Sequence, residues 1–183
     1  MKKKVKSMIN PISIDMPKYD QMDRLKQGIE EWNDWKHTHP HIPVSFRLAD
    51  FHHMSLAGVD LSVSDLRETD FSDANLSEVD LSYADLSEAS LTWAYLSDAN
   101  LSHAILRDAD LSGSDLSNAN LRGADLQGAS LVGAYLINTD LREANLRGAD
   151  LRGAVLIRVN MQGTMFKSAQ KDSEAAICSI WSR

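Results

Sequence analysis

Large apolar residues recur at every fifth position along most of this chain. In residues 117–131, SNANLRGADLQGASL, leucine stands at positions 121, 126 and 131, and alanine stands two places before each leucine. Neither regular element has this period, because five residues turn about 140° past a full circle on a helix and alternate faces on a strand. A short strand followed by a corner does have it, and successive corners predict a coiled solenoid.

The five-residue register holds without insertion over residues 44–168, which makes 25 units. The central residue is Leu in 20 units, Phe in four and Met in one. Alanine stands two places before the centre in 15 units, and Asp or Asn stands just before it in 16. In an extended unit the centre and the small residue share one face, so we predict that all 25 centres are buried. An interior filled in this way has no room for a ligand, and a smooth filled rod has no obvious pocket.

Segments such as ANLRG, ADLQG and ADLRG resemble the pentapeptide-repeat family, whose consensus is Ala-(Asp/Asn)-Leu-x-x. The resemblance implies an all-β solenoid, a right-handed quadrilateral parallel β-helix with four pentapeptides per coil. Residues 20 apart would then stack on one another. With strands about 4.8 Å apart, the repeat gives about six coils and a rod roughly 30 Å long.

The flanks of the repeat predict caps. We divide the chain into a tail with a capping α-helix (1–43), the β-helix (44–168) and a C-terminal cap or tail (169–183), because bare strand edges favour aggregation. One N-terminal helix is predicted, starting near Asp15 and Pro17 and ending before THPHIP, with these residues on its apolar face: Met22, Leu25, Ile29 and Trp32. A short C-terminal helix would carry Ala176, Ile177, Ile180 and Trp181.

Met54 is the only oversized residue in the small position two before a centre, which predicts that it lies at the mouth beside the N-terminal cap. The position two after the centre holds bulky residues in some units and glycine in others. We therefore expect this position to need no positive φ, and its glycines only to smooth the surface.

Acidic residues are concentrated in one half of the repeat. Residues 49–118 hold 14 Asp or Glu and two Arg, whereas residues 119–168 hold four acids and six bases. Eight of the 14 acids are Asp just before a centre; the other six stand two after a centre, at Glu68, Asp73, Glu78, Glu88, Asp98 and Asp108. A chain with a net charge of −7 is a poor nucleic-acid binder, so no nucleic-acid partner is expected.

The sequence predicts neither a signal peptide nor a membrane span, and we expect a cytoplasmic protein with no membrane partner. The single cysteine, Cys178, excludes an internal disulfide. Five histidines lie between His37 and His53 and could bind a metal in principle, although surface roles are the more common explanation. Motifs for nucleotide, zinc-protease or hydrolase chemistry are absent, so we expect no enzyme, catalytic residue, metal or cofactor.

Several outward positions hold large apolar residues where the repeat otherwise prefers polar ones. Trp93 and Tyr95 flank a corner, Tyr83 belongs to a column with Val63 and His103, and the remaining candidates for an interaction surface are Tyr135, Ile137, Val155 and Ile157. Stacking at a spacing of 20 would pair Tyr135 with Val155 and Ile137 with Ile157. Such a patch usually marks a contact, with another protein, the tail helix or a second copy in a homodimer through the C-terminal end.

Two functions fit these features. The first is a non-enzymatic structural or adaptor module that binds an unnamed protein through a face of the β-helix. The second comes from the family resemblance, because some members are acidic rods that mimic DNA, bind DNA gyrase and give quinolone resistance. Those members resemble tandem dimers with projecting loops and more Phe centres, whereas this repeat is uninterrupted and centred on Leu.

Overall fold

The computed structural model describes residues 18–171, and their side chains from residue 21 onward. Two helices come first, α1 at Lys18–Leu25 and α2 at Ile29–Thr38. The sequence predicted one continuous helix here, and that prediction was wrong: the helix is interrupted before Gly28, which has a φ of 154°. Glycine is a poor residue for a helix interior. Asp15, Pro17 and the predicted C-terminal helix lie outside the described residues.

Beyond α2, residues 20 apart form parallel bridges along the whole repeat. The bridges run from Ser45–Asp65 to Asp150–Gln170, and each bridging residue up to Met165 is the one just before a centre. Leu61 N donates to Asp80 O at 2.8 Å, and Asp80 N donates to Val59 O at 3.0 Å, and this pair of bonds recurs unit after unit. The chain thus returns to a neighbouring position after four pentapeptides, which is the spacing that the family resemblance implies.

Two bridged units are long enough to be strands. β1 is Tyr135–Ile137 and β2 is Val155–Ile157, and they pair in parallel with Tyr135 opposite Val155 and Ile137 opposite Ile157. This confirms the predicted stacking of the four apolar residues. β-Branched and aromatic residues favour extended backbone, and here they replace the polar residues of the other units.

The bridges fall into four ladders, one for each pentapeptide of a coil. The ladders start at Ser45, Asp50, Ser55 and Asp60. The third ladder contains Ser55, Asn75, Tyr95, Asp115, Tyr135 and Val155. We call its outward surface, together with the residues two before and two after each of these positions, the third face.

Burial follows the predicted pattern except at the last coil. The first 23 centres are buried, most of them completely, and the small residues beside them are buried with few exceptions. Met161 and Phe166 are only partly buried, so the prediction of 25 buried centres was wrong for these two. Both belong to the last coil, which has no further coil stacked on it among residues 18–171.

The corner after each centre is a turn with a positive φ. The N–H two before the next centre donates back to the previous centre, as in Ala99 N to Leu96 O at 3.1 Å. The residue two after the centre has φ between 55° and 77° in all 25 units, 17 of them not glycine. The expectation that this position needs no positive φ was therefore wrong. Bulky residues such as Val63 accept a left-handed conformation that costs about 1–2 kcal/mol each.

The N-terminal helices contact the backbone that begins the repeat. Asn33 receives a hydrogen bond from Asp60 N at 2.8 Å and donates to Gly58 O at 2.9 Å, while Trp32 Nε1 donates to Asp60 O at 2.7 Å. Lys36 Nζ donates to Ser62 O at 2.5 Å. In later coils the groups equivalent to Asp60 N, Asp60 O and Ser62 O pair with the preceding coil, as Asp80 N does with Val59 O, so the helix side chains take the place of a preceding coil. Burial lowers the pKa of Lys36, although nearby Asp60 and Asp80 act in the opposite direction.

Trp32 itself is fully buried, with its ring centre 5.5 Å from that of Phe46, and Met54 packs partly buried against the same core. Neither helix in residues 18–171 has the length and apolarity that crossing a membrane would require.

Candidate protein-interaction face

The polar residue just before each centre has a structural role. In all 16 units with Asp or Asn at this position, the side-chain Oδ1 accepts the backbone N–H two residues later, at 2.9–3.4 Å. This bond is an Asx turn, and it satisfies an N–H at the start of each corner. It also accounts for eight of the 14 acids in residues 49–118 without any partner.

Five units place a large apolar residue at this position and lack the Asx bond. Three of the five, Tyr95, Tyr135 and Val155, belong to the third ladder, and the other two, Ile105 and Met165, belong to the first. Tyr95 is 58% exposed and Tyr135 is 46% exposed. The third ladder thus lacks three of these turn bonds and carries two solvent-exposed rings in their place.

The structure brings six of the seven predicted surface residues onto the third face. Trp93 stands at the corner that precedes Tyr95, and Ile137 and Ile157 follow Tyr135 and Val155. Tyr83 is separate, because its corner lies between the fourth ladder and the first. There its ring stacks on His103 with the centres 5.0 Å apart, as expected for a column of residues 20 apart.

A shallow groove of about 430 Å³ runs along the third face. Its lining includes Trp93, Tyr95, Asp115, Tyr135 and Ile137. The Trp93 ring lies flat over Gly113, where a Cβ would come within 2.6 Å of the ring. The sequence predicted a rod with no obvious pocket, and this groove corrects that expectation at one place. The one signal of this groove in the sequence is that Tyr95 and Tyr135 stand 40 residues apart with a glycine at position 113 between them.

The groove is acidic as well as aromatic. Asp115 bridges Tyr95 on one side and Tyr135 on the other, and its Oδ1 accepts Ser117 N at 3.0 Å. Asp73 joins the lining from the corner column that contains Trp93, with an oxygen 4.0 Å from His53 Nδ1. No lysine or arginine is among the described residues that line the groove.

The histidines between residues 37 and 53 do not converge on one site. His39 stacks on Trp35, whereas His52 contacts both Asp50 and the ring of His53. Ligand atoms of Asp50, His52 and Asp70 lie within 4.8 Å of one another, on side chains that are exposed or half-buried. Surface acids group in this way without any ion, so the geometry supports no metal assignment.

The repeat matches the family model for pentapeptide repeats in eight copies, which together cover residues 45–169. The chain belongs to the pentapeptide-repeat family. Members of this family are known as right-handed quadrilateral β-helices and are generally structural and non-catalytic. A search of curated proteins finds no match.

Several solved pentapeptide-repeat structures are similar. HetL from the cyanobacterium Nostoc sp., involved in heterocyst differentiation regulation, is 29% identical over 69% of this chain and 86% of its own, with a TM-score of 0.36. A pentapeptide-repeat protein of the Arabidopsis thaliana thylakoid lumen is 35% identical over 57% of this chain and 69% of its own, with a TM-score of 0.45. The fluoroquinolone resistance protein QnrB1 is 16% identical over 70% of this chain and 80% of its own, with a TM-score of 0.33. The bridges 20 residues apart, and not these superpositions, therefore carry the fold assignment.

Proposed function

We propose that this pentapeptide-repeat protein is a non-enzymatic module that binds another protein through its third face. The observation that carries the proposal is that Tyr95, Tyr135 and Val155 replace the Asp or Asn of the repeat on a single ladder. Each replacement forgoes an Asx bond and exposes apolar surface. Aromatic and aliphatic anchors grouped on one surface are typical of the energetic centre of a protein interface.

The size of the face suits a small interface. From Tyr95 to Val155 the third ladder advances three strand spacings, which is roughly 14 Å. Elsewhere on the described surface Val63 and Tyr83 share one column, and the other large exposed apolar residues, such as Leu48, Ile105 and Val132, are spread over other corners and faces. Single exposed apolar residues are normal on proteins, but a contiguous set is not.

The handedness of the coil, its number of sides and the role of the N-terminal helices are also part of this proposal. We take the coil to be right-handed and four-sided, as in the family, with the N-terminal helices as its cap. A filled interior leaves the outward faces as the only surface for function. A cytoplasmic location also remains a prediction.

Affinity capture from the native host tests the proposal. The tagged full chain is compared with a variant carrying Tyr95→Asn and Tyr135→Asn, and with a control carrying Tyr83→Asn, which removes an equally exposed tyrosine from a different corner. We expect the control to retain every wild-type partner and the double variant to lose at least one. Equal recovery by all three proteins would contradict the proposal.

Stability of the same variants is measured in parallel. Asparagine is already used in this position at Asn75, Asn100 and Asn120, where it makes the Asx bond. The double variant should therefore unfold at the same or a higher denaturant concentration than wild type. A large loss of stability would mean that the tyrosines are structural.

DNA gyrase is the less favoured partner. Eight of the acids in residues 49–118 are engaged in turns, and the repeat has no loop inserted anywhere in residues 44–168. We expect no inhibition of supercoiling at low micromolar concentrations. Clear inhibition in that assay would promote gyrase over an unnamed partner.

A further inference from the structure

We infer that the groove on the third face accommodates an arginine side chain presented by the protein partner. This inference rests on the proposed function and assigns a chemistry to the partner. Two properties of the groove carry it: flat aromatic walls and carboxylates with no basic side chain in the lining. Together they complement a planar cation.

The aromatic walls are spaced for a flat group. Tyr95 and Tyr135 are separated on the third ladder only by Asp115, so their backbones are two strand spacings or roughly 10 Å apart. A planar group stacked between two rings requires roughly 7 Å between them, so the two rings must lean toward each other by about 3 Å in the complex. Trp93 adds a third ring, fixed flat over Gly113. Cations are attracted to the faces of such rings, most strongly to tryptophan.

Asp115 supplies the charge at the base of the groove. One carboxylate oxygen is held by Ser117 N at 3.0 Å, which fixes the orientation of the group between the two tyrosines. The residue is half-buried and has no ion pair with any described Lys or Arg within 4.0 Å. Asp73 adds a second carboxylate at the Trp93 end of the groove.

Arginine fits this combination better than lysine does. A guanidinium is planar, stacks on aromatic faces and donates from several N–H groups at once to a carboxylate, whereas an ammonium is compact and strongly hydrated. Ile137, at the other end of the groove, indicates that an apolar residue lies next to the arginine in the partner.

Short peptides provide the test. The full chain is titrated with acetyl-Gly-Leu-Arg-Leu-Gly-amide and with two matched peptides, one with lysine and one with citrulline, the neutral isostere of arginine. NMR signals of the Trp93 indole and the Tyr95 and Tyr135 rings report binding. We expect the arginine peptide to bind at least about fivefold more tightly than the citrulline peptide, with lysine in between, as a single desolvated cation–π contact would give.

Two substitutions of Asp by Asn, which keep the size of the side chain, test whether the carboxylate of Asp115 binds the arginine. Asp115→Asn keeps the turn bond, since Asn fills this position in other units, but removes the carboxylate from the groove. Asp110→Asn makes the same change on the second ladder, outside the groove. Asp115→Asn should reduce the preference for arginine over citrulline and leave citrulline binding unchanged, because the rings and Asp73 stay in place, while Asp110→Asn should change neither.

Equal binding of the arginine and citrulline peptides, or a preference that Asp115→Asn leaves unchanged, overturns the inference. If that happens while partner capture still depends on Tyr95 and Tyr135, the third face remains a protein-binding surface and only the arginine assignment falls. If the peptides behave as expected but capture does not depend on the tyrosines, the proposed function falls instead.

Discussion

At the scale of single residues, three of the eight corner glycines lie under a side chain of the adjacent coil. Trp93, His103 and Asp108 each lie over a glycine 20 residues later, where a Cβ would come within 2.1–2.6 Å of the overlying side chain. At these three positions glycine leaves room for that neighbour and also adopts the positive φ without strain. The sequence could not show this, because bulky residues tolerate the same φ in other units.

A pair of glycine substitutions separates the two requirements. Gly113→Ala and Gly133→Ala both place alanine at a φ near 70°, but only the first meets the Trp93 ring. Both should lose about 1 kcal/mol from the left-handed conformation, and Gly113→Ala should lose about 1 kcal/mol more as Trp93 is displaced. Denaturant unfolding measures the difference, and a shift in Trp93 fluorescence should accompany only Gly113→Ala. Equal losses would mean that the ring does not pack on Gly113.

The Asp50–His52 contact gives a pH-dependent prediction. The hydrogen bond between the two side chains raises the pKa of His52 and lowers the pKa of Asp50. The contact stabilises the protein fully only between the ordinary pKa values of 3.8 and 6.5. Its contribution is lost as the pH rises through the raised pKa of His52, and again as the pH falls through the lowered pKa of Asp50.

NMR titration of His52 tests this directly. We expect a pKa above 6.5 in the wild type, a fall toward that value in Asp50→Asn, and no change in Asp110→Asn, which is three coils away on the same ladder. A pKa of His52 that does not respond to Asp50→Asn would exclude the contact in solution.

At the scale of elements, the ladders were predictable and the helices less so. A five-residue period with a small residue two places before each centre predicts a coiled chain. The stacking of residues 20 apart, and with it the pairing of β1 with β2, then followed from the family resemblance. The break between α1 and α2 did not, because Gly28 falls between two stretches whose apolar spacing continues across it. The contacts of Asn33 and Lys36 with the first coil could not be predicted either, because these side chains bond to backbone groups, which any residue has.

Removing those contacts tests the N-terminal cap. Deletion of residues 1–40 uncovers the backbone groups of Gly58, Asp60 and Ser62, and we expect the protein to aggregate through that open edge. Deletion of residues 1–17 alone keeps α1 and α2 and serves as the control. Size-exclusion chromatography with light scattering reports the outcome. A monomeric Δ1–40 protein with an unchanged melting temperature would show that α1 and α2 do not protect the edge.

At the scale of the whole molecule, the C-terminal end of the third face predicts self-association. Val155 and Ile157 extend the apolar surface beyond the groove, and two copies could pair there around a two-fold axis. We expect the wild type to sediment as a dimer at high concentration and Ile157→Asp to sediment as a monomer. Val132→Asp changes an equally placed residue on another face, with 37% exposure against 41%, and should remain dimeric. A wild type that is monomeric at every concentration removes the dimer.

We propose that one face of the repeat, and not its other sides, contacts another protein. In-cell photo-crosslinking measures this most directly, with a photoreactive amino acid at Ser97 on the third face or at Ser102, the equivalent position on the fourth ladder. Both serines follow a buried leucine and are half-buried, so the two probes differ only in the face they occupy. We predict discrete crosslinked products from position 97, with position 102 giving little or none. Equal crosslinking from both positions, or products from position 102 alone, would contradict the assignment of the third face.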